Sequence, residues 1–414
     1  DFSVGIEYRK LNLNKIADDF TDGAGQQYPE YNLRGDLRVR EIFSELYLPF
    51  SSDTNLNFSI RYSDYSLQKN ALTYDFGIVQ LFEDKYTFKF SHQRAIRMPD
   101  INDLYGPSRI AQAFLDVDPC SGANPIKTFN ECSLTGVTLA QYGVIPNTRD
   151  QINTLISGDV GLQPETATTN SISLNYIDEI DLKMDFYSIL IKDRIDFLQA
   201  SFILNSCLES GDTYFCDLIQ RNPTTGTFYQ GTGKISTPTL NTSRQEIFGL
   251  DVSIAKNIST SFGEINLSNI FSYLHKNNKK LFPTSVVNKC KGKYENICGL
   301  PSPEIQNILS LNFIYEISKF DSSTNLSLRY IDSVKDSNTT NPIDFKSFYY
   351  LDMNFSIDLV DDISLSFGIN NILDKNPPLN GKSIDYVPGN ANTYPSYYDP
   401  LGRFIFLNIS KRIN

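Results

Sequence analysis

Apolar and polar residues alternate with a period of two along most of the chain. Leu351, Met353, Phe355, Ile357 and Leu359 interleave with Asp352, Asn354, Ser356 and Asp358. Beyond a polar turn at Asp361-Asp362, Ile363, Leu365, Phe367 and Ile369 interleave with Ser364, Ser366, Gly368 and Asn370. The same alternation marks Phe2–Arg9, Leu56–Ser63, Leu309–Tyr315 and Leu326–Tyr330. Successive side chains of a strand point to opposite faces, so this pattern predicts strands that are apolar on one face only. Helical spacing is nowhere sustained in this reading. The expected strands are 2–10, 36–49, 54–66, 71–82, 86–94, 166–178, 181–192, 243–256, 262–275, 304–317, 323–335, 347–360, 363–373 and 402–413. That makes about 14, each near the 9 to 11 tilted residues that cross a hydrocarbon layer.

The connections differ in length. Tight turns are expected at Ser51-Ser52-Asp53, Glu83-Asp84-Lys85, Asp178-Glu179-Ile180 and Asp361-Asp362, and long loops around 11–35, 95–165, 193–242, 276–303 and 374–401. Transmembrane barrels place short turns on the inside and long loops outside, and a polar inward face suits a watery or plugged lumen. A closed barrel also leaves no backbone group unpaired in lipid. The expected fold is all-β: an antiparallel transmembrane β-barrel with short periplasmic turns and long extracellular loops.

Composition narrows the alternatives. The 414 residues are 40% hydrophobic and 13% aromatic, with 24 Tyr, 28 Phe and no Trp. A soluble chain of this length would divide into domains of about 150 residues; strand-plus-connection units of roughly 30 residues divide it better. The aromatic content excludes a disordered chain, and 23 Gly exclude a collagen-like one. No apolar run approaches the roughly 20 residues of a spanning helix. With 37 basic against 48 acidic residues the net charge is −11, which argues against nucleic acid as a partner. Any interfacial girdle must be built from Tyr and Phe. Two His make a multi-histidine metal enzyme improbable. No cofactor or metal is expected, and no catalytic residue: Gly-x-Ser-x-Gly and phosphate loops are missing, and His92 and His275 lie on expected strands without a nucleophile nearby.

Six Cys fall into three close pairs, Cys120 with Cys132, Cys207 with Cys216 and Cys290 with Cys298, all in expected long loops. Local pairing of this kind suits three small disulfides on an oxidising face, and Cys-x-x-Cys zinc spacing is not present. Their role is expected to be loop stiffening. The acidic loop residues Asp18, Asp19, Asp22, Asp116 and Asp118 could in principle offer oxygen ligands to Ca²⁺, but they lack its loop spacing and are expected to be solvated acids.

Five stretches carry a family resemblance. Phe88–Pro99, with Arg97 and Pro99 at its end, runs into Asp100–Tyr105. Gly161-Leu162-Gln163-Pro164-Glu165-Thr166 follows, then Phe186–Ile195, then Gly368–Pro378 with Asn370, Asn371, Asp374 and Lys375. The last is Tyr398-Asp399-Pro400-Leu401-Gly402-Arg403-Phe404-Ile405-Phe406-Leu407. In their order these resemble the Ala-x-Arg-x-Pro strand end, the Leu-x-Pro-Glu-Thr strand start, and the closing strands of TonB-dependent outer-membrane receptors. The resemblance covers roughly residue 36 onward and implies the C-terminal portion of a receptor barrel. The family carries a plug domain, a TonB-contacting box and about 22 strands; against that pattern residues 1–414 read as a barrel part without plug or first strands. The final Arg412-Ile413-Asn414 stand where the family usually ends on an aromatic read by the barrel-insertion machinery.

Each motif also has a plainer reading. Arg97 could face a ligand or plug, but pairing with interior carboxylates is favoured, and Pro99 would stop the strand. Pro164, Glu165 and Thr166 are expected to shape a strand start, and Asn370, Asn371, Asp374 and Lys375 a hydrogen-bonded rim, with Asp399, Gly402 and Arg403 in the closing strand motif. Tyr386, Tyr394, Tyr397 and Tyr398 suit either a ligand surface or an interfacial girdle. With Arg97 and Tyr105 they are the candidate ligand residues. The resemblance implies an outer-membrane receptor of a Gram-negative bacterium, set in outer-membrane lipid. Such a receptor takes up a scarce small-molecule ligand (ferric siderophore, cobalamin or carbohydrate) and is energised by the TonB–ExbB–ExbD complex. Energy coupling would need the plug-bearing part. A passive porin-like channel and a non-transporting surface protein are the alternatives.

Overall fold

The structure, a computed structural model, describes residues 1–17, 31–67, 69–115, 117–147, 151–295, 297–299, 302–337, 343–359, 362–379, 393–394 and 396–411. Fourteen strands form one antiparallel sheet in which each pairs with its neighbours in chain order. They are Phe2–Lys15, Leu33–Pro49, Thr54–Tyr65, Lys69–Phe82, Tyr86–Arg97, Glu165–Ile177, Asp181–Phe197, Thr239–Thr260, Gly263–Lys280, Ile305–Ile317, Phe320–Ile331, Phe348–Asp358, Ile363–Asn370 and Phe404–Lys411. Every expected strand is present. Among the described residues the first and last do not pair with each other, so the sheet is open along that seam.

Register carries the alternation from strand to strand. Ile6 lies opposite Ile42, Ile42 opposite Tyr62, and Tyr62 opposite Leu72. Ile6, Ile42 and Ile60 are 86%, 54% and 51% exposed, a continuous apolar face without protein cover. On the other face Glu7 lies opposite Glu41 and Glu41 opposite Ser63. Glu41 accepts from Arg9 (2.9 Å), Arg61 (3.1 Å) and Ser63 (2.6 Å), so its buried charge is neutralised and solvated by the wall itself. Loop segments cover this second face, which makes it the inner one. No helix among the described residues is long and apolar enough to cross a membrane, which leaves spanning by strands untouched.

The tight turns gather at one end of the sheet. Ser318 (φ 50) and Lys319 (φ 73) form a two-residue hairpin loop with both residues left-handed, the geometry that matches strand twist. The opposite end carries the long connections, with one exception: Tyr65 and Lys69 are joined by only three residues, 66–68. Thr239–Thr260 and Gly263–Lys280 run further toward this end than alternation indicates. There polar pairs such as Gln245 with Asn277 (3.0 Å) and Lys279 with Asp196 (2.7 Å) replace apolar ones.

Two expectations are corrected by the long connections. They are not plain loops, and helical spacing does occur. Residues 106–164 and 198–238 fold together into a cap with its own apolar core. The cap holds a four-stranded sheet of Arg109–Phe114, Gln151–Ile156, Lys234–Ser236 and Ile219–Gln220. It also holds the helix Ala200–Ser210, which buries Ala200, Ile203, Leu204, Cys207 and Leu208, an i, i+3, i+4, i+7, i+8 stripe. Gly211 (φ 65) ends that helix in the left-handed conformation. Disulfides Cys120–Cys132 and Cys207–Cys216 lie in this cap, and Cys290–Cys298 lies in the next loop. All three pairings agree with the sequence expectation. Asp118 is a further correction: it is a buried partner of Arg221 rather than a solvated acid.

Candidate functional site

The inner face of the wall forms a pocket of about 350 Å³ near the loop end. Four adjacent strands supply its floor through register alone. Asp251 lies opposite Ser272 and Ser272 opposite Gln306. One step further along, Tyr187 lies opposite Gly249. A Cβ on Gly249 would stand 2.3 Å from the Tyr187 hydroxyl, so the glycine is what lets that ring lie flat on the wall. Leu274, Ser302, Pro303, Glu304 and Tyr397 complete the lining. Lys291, 2.9 Å away, holds the Glu304 carboxyl below its usual range.

Tyr397 reaches the pocket because its segment is tied to the wall. Arg329 donates to Asp352 (2.7 Å) and to Asp399 (2.6 Å) and stacks 4.7 Å from the Tyr350 ring. The Asp399 amide donates to the Tyr350 hydroxyl (2.9 Å), and the Tyr394 hydroxyl donates to Asp336 (2.7 Å). Tyr394 and Tyr398 pack with Ile331 and Phe345 in a small buried core. Burial pushes the Tyr398 hydroxyl up to about 12 and raises that of Tyr397 as well. The result is a ring-lined site with two carboxylates, an amide and hydroxyls, able to accept hydrogen bonds from a polyhydroxylated or cationic ligand and to stack flat groups.

The candidate residues from sequence separate into different places. Tyr397 lines the pocket, whereas Tyr394 (6% exposed) and Tyr398 (1%) are core residues that hold its segment. Arg97 is spent on Glu165 (2.8 Å) and Asp103 (3.5 Å), and Glu165 also accepts from the Ile195 amide (2.7 Å). Thr166 lies opposite Lys192 in the strand that Pro164 precedes. Pro99 follows the end of Tyr86–Arg97. Tyr105 packs beneath the wall at Gly35, its hydroxyl 3.4 Å from the Asp36 carbonyl. Asn371 is fully buried; it exchanges two hydrogen bonds with the Lys375 backbone and donates its own amide to Asp352. Lys375 lies over the Tyr349 ring, 3.0 Å from its centroid. Asp374 accepts from the Arg403 amide (2.9 Å), beside Gly402 at φ 69. These form a knitted rim, distinct from the pocket. Tyr386, Asp18, Asp19, Asp22, Asp116, Asp361 and Arg412-Ile413-Asn414 lie outside the described residues. Tyr187, Asp251, Ser272 and Gln306 were not singled out from sequence, although their parity already marks them as inward-facing polar positions. Among the described residues no His, Cys, Asp and Glu group could hold a metal ion.

A family model described as TonB dependent receptor-like, beta-barrel matches residues 1–372. The chain belongs to that family. TonB-dependent receptors are outer-membrane proteins that bind small ligands and act with TonB. Among solved structures, this receptor chain is similar to the siderophore receptor PirA from Acinetobacter baumannii. The two share 16% identity with a TM-score of 0.60, over 99% of this chain and 51% of that one. It is similar to a mutant ferric enterobactin receptor (PfeA) from Pseudomonas aeruginosa solved with enterobactin, at 12% identity and TM-score 0.63, over 99% and 51%. The copper transporter OprC is a further similar structure, at 14% identity and TM-score 0.53, over 99% and 54%. At these identities the likeness is one of fold. The chain spans about half the length of the receptors it matches. No curated protein sequence matches it.

Proposed function

We propose that residues 1–414 form the C-terminal part of the wall and the outer cap of a TonB-dependent receptor. That receptor takes up a scarce small solute across the outer membrane of a Gram-negative bacterium. The observation that carries this reading is the inner-wall pocket under a tethered loop segment, with Tyr187 laid over Gly249 and Tyr397 held above by Arg329 and Asp399. The similar structures are a siderophore receptor, a ferric enterobactin receptor and a copper transporter, which makes a ferric siderophore the first class to test. The acidic, hydroxyl- and ring-lined pocket by its own chemistry suits polyhydroxylated or cationic solutes, so cobalamin and carbohydrates stand beside it. Transport draws on the TonB–ExbB–ExbD complex through the plug of the receptor, and the wall reaches the membrane through the barrel-insertion machinery.

The test is growth of a receptor-deletion strain complemented with the full gene, fed single iron–siderophore complexes, cobalamin or oligosaccharides. Uptake of one class that drops at least tenfold with Tyr397→Ala and Asp251→Asn, at unchanged receptor abundance, supports the reading. Uptake indifferent to both substitutions for every solute removes the pocket from transport.

A further inference from the structure

The inner-wall pocket carries a charge that the protein leaves unanswered. Asp251 stands two residues along its strand from Gly249, on the same face, and so lines the pocket beside the Tyr187 ring. Across the sheet it faces Asp185 on one side and Ser272 on the other. Asp185 is compensated, because Lys183 stands 2.8 Å away and the Ser173 hydroxyl donates to it. Glu304, the other carboxylate of the lining, is compensated by Lys291 at 2.9 Å. Among the described residues Asp251 has no hydrogen-bond donor and no ion-pair partner.

Asp185, Asp251 and Glu304 are thus set against Lys183 and Lys291 alone, which leaves a surplus negative charge on the pocket floor. Among the described residues no Lys, Arg or His lines the pocket. Like charges directly opposite each other across an antiparallel pair repel, so Asp251 strains the wall where an Asn would not. A cation in the pocket offsets that repulsion. The rings decide which kind of cation fits. Tyr187 lies flat on the wall, Tyr397 is held above it, and ring faces attract an ammonium group as a carboxylate does. A bare metal ion asks instead for several ligand atoms at once, and among the described residues no His, Cys, Asp and Glu group supplies them.

We propose that the pocket selects for positive charge: its solute presents an organic ammonium group to Asp251, between Tyr187 and Tyr397. Anionic complexes, iron tris-catecholates among them, are thereby disfavoured, and an uncharged polyhydroxylated solute gains no ion pair. A volume of about 350 Å³ has room for an ammonium arm and the part of the solute next to it. The inference rests on the transport reading of this pocket given above and narrows its substrate class.

The probes are the iron complexes of a linear trihydroxamate with a free terminal ammonium and of the same molecule with that nitrogen acetylated, which removes the charge. An iron tris-catecholate is the anionic probe. Binding to the full receptor in detergent is measured by calorimetry for the parent, Asp251→Asn and Asp251→Glu. The parent is expected to bind the ammonium form about tenfold more tightly than the acetylated form. Asp251→Asn should erase that preference, and Asp251→Glu, which keeps the charge, should retain it. Equal binding of the two forms by the parent, no binding of the ammonium form, or tighter binding of the tris-catecholate overturns the proposal. A preference that survives Asp251→Asn, or is lost equally in both variants, overturns it too. Uptake by cells separates this failure from that of the transport reading. If Tyr397→Ala lowers uptake of a solute while the charge preference ignores Asp251→Asn, charge selection falls and the transport reading stands. If uptake of every solute is indifferent to both substitutions, the transport reading falls and the proposal with it.

Discussion

Arg221 grips Asp118 with both terminal guanidinium nitrogens, at 2.6 and 3.0 Å, across 103 residues of chain. The two side chains are 2% and 1% exposed, inside the cap core. Arg221 also donates to the Thr135 hydroxyl (2.8 Å) and the Gly226 carbonyl (2.9 Å), and its plane lies 4.2 Å from the Phe228 ring centre. Removing one partner leaves a buried charge alone, a loss of about 3 to 5 kcal/mol. Arg221→Met and Asp118→Asn are therefore expected to loosen the cap and leave the wall standing. Limited proteolysis checks this: new cuts within 106–164 and 198–238 should appear without loss of the strand signal in far-UV circular dichroism. An equally resistant cap in both variants would contradict it.

The disulfides divide between regions, so their removal is expected to act locally. Cys120–Cys132 and Cys207–Cys216 close loops of 12 and 9 residues around the buried helix Ala200–Ser210. Closing loops of that size stabilises by about 3 kcal/mol in the chain-entropy picture. Serine pairs at either position are expected to raise hydrogen exchange across the cap, and serines at Cys290 and Cys298 to raise it around that pair, beyond Phe282, which packs on the cap core. Uniform exchange changes from all three pairs would sink the claim of separate regions.

Alkaline pH is expected to release the segment that carries Tyr397. Burial holds the neutral form of Tyr398, raising its folded value to about 12 from 10.0. Because the folded value is the raised one, this contribution to stability is intact below about pH 10 and drains away as pH climbs through about 12. Tyrosinate absorbance should show a late step coincident with loss of ligand binding. Tyr398→Phe should remove that step; an unchanged titration curve would refute the assignment.

Gly249 sets the depth of the pocket. A Cβ there meets the Tyr187 hydroxyl at 2.3 Å and the Tyr273 carbonyl at 2.9 Å, so one must move. The ring end is the freer of the two, and Gly249→Val is expected to push Tyr187 into the pocket. Ligand affinity should fall about tenfold, a cost near 1.4 kcal/mol, while the melting temperature moves little. A Gly249→Val receptor that binds as tightly as the parent would show that Tyr187 does not touch the ligand.

Much of the wall was legible in the sequence because its two physical demands, hydrocarbon outside and water or protein inside, write themselves as a period of two. Leu351–Leu359 and Ile363–Ile369 show it plainly, and the Cys pairs needed only their proximity. The cap was legible in part. The stripe Ala200, Ile203, Leu204, Cys207 and Leu208 has helical spacing, but it is short and embedded in polar loops. Arg221 and Asp118 carry no local signal, since a pair closed by tertiary folding leaves no pattern along the chain. The pocket hid for a related reason: Asp251, Ser272 and Gln306 are ordinary inward polar positions, set apart only by the neighbours that cross-strand register brings beside them. The tyrosines misled in the opposite direction, because composition cannot distinguish Tyr397, which lines the cavity, from Tyr398, which anchors its segment.

The two halves of the cap are separated in the chain by a complete wall hairpin, Glu165–Ile177 with Asp181–Phe197. Asp118 is synthesised before that hairpin and Arg221 after it. The chain must travel down to the turn at residues 178–180 and back to the same rim before the two can meet. In the native fold the paired hairpin returns the chain to the same rim and so brings the two halves of the cap core together. Until the hairpin closes, Leu115, Ile145 and Ile152 stand without Ile203, Leu204 and Phe228. Apolar surface left open in that way is what chaperones and proteases capture.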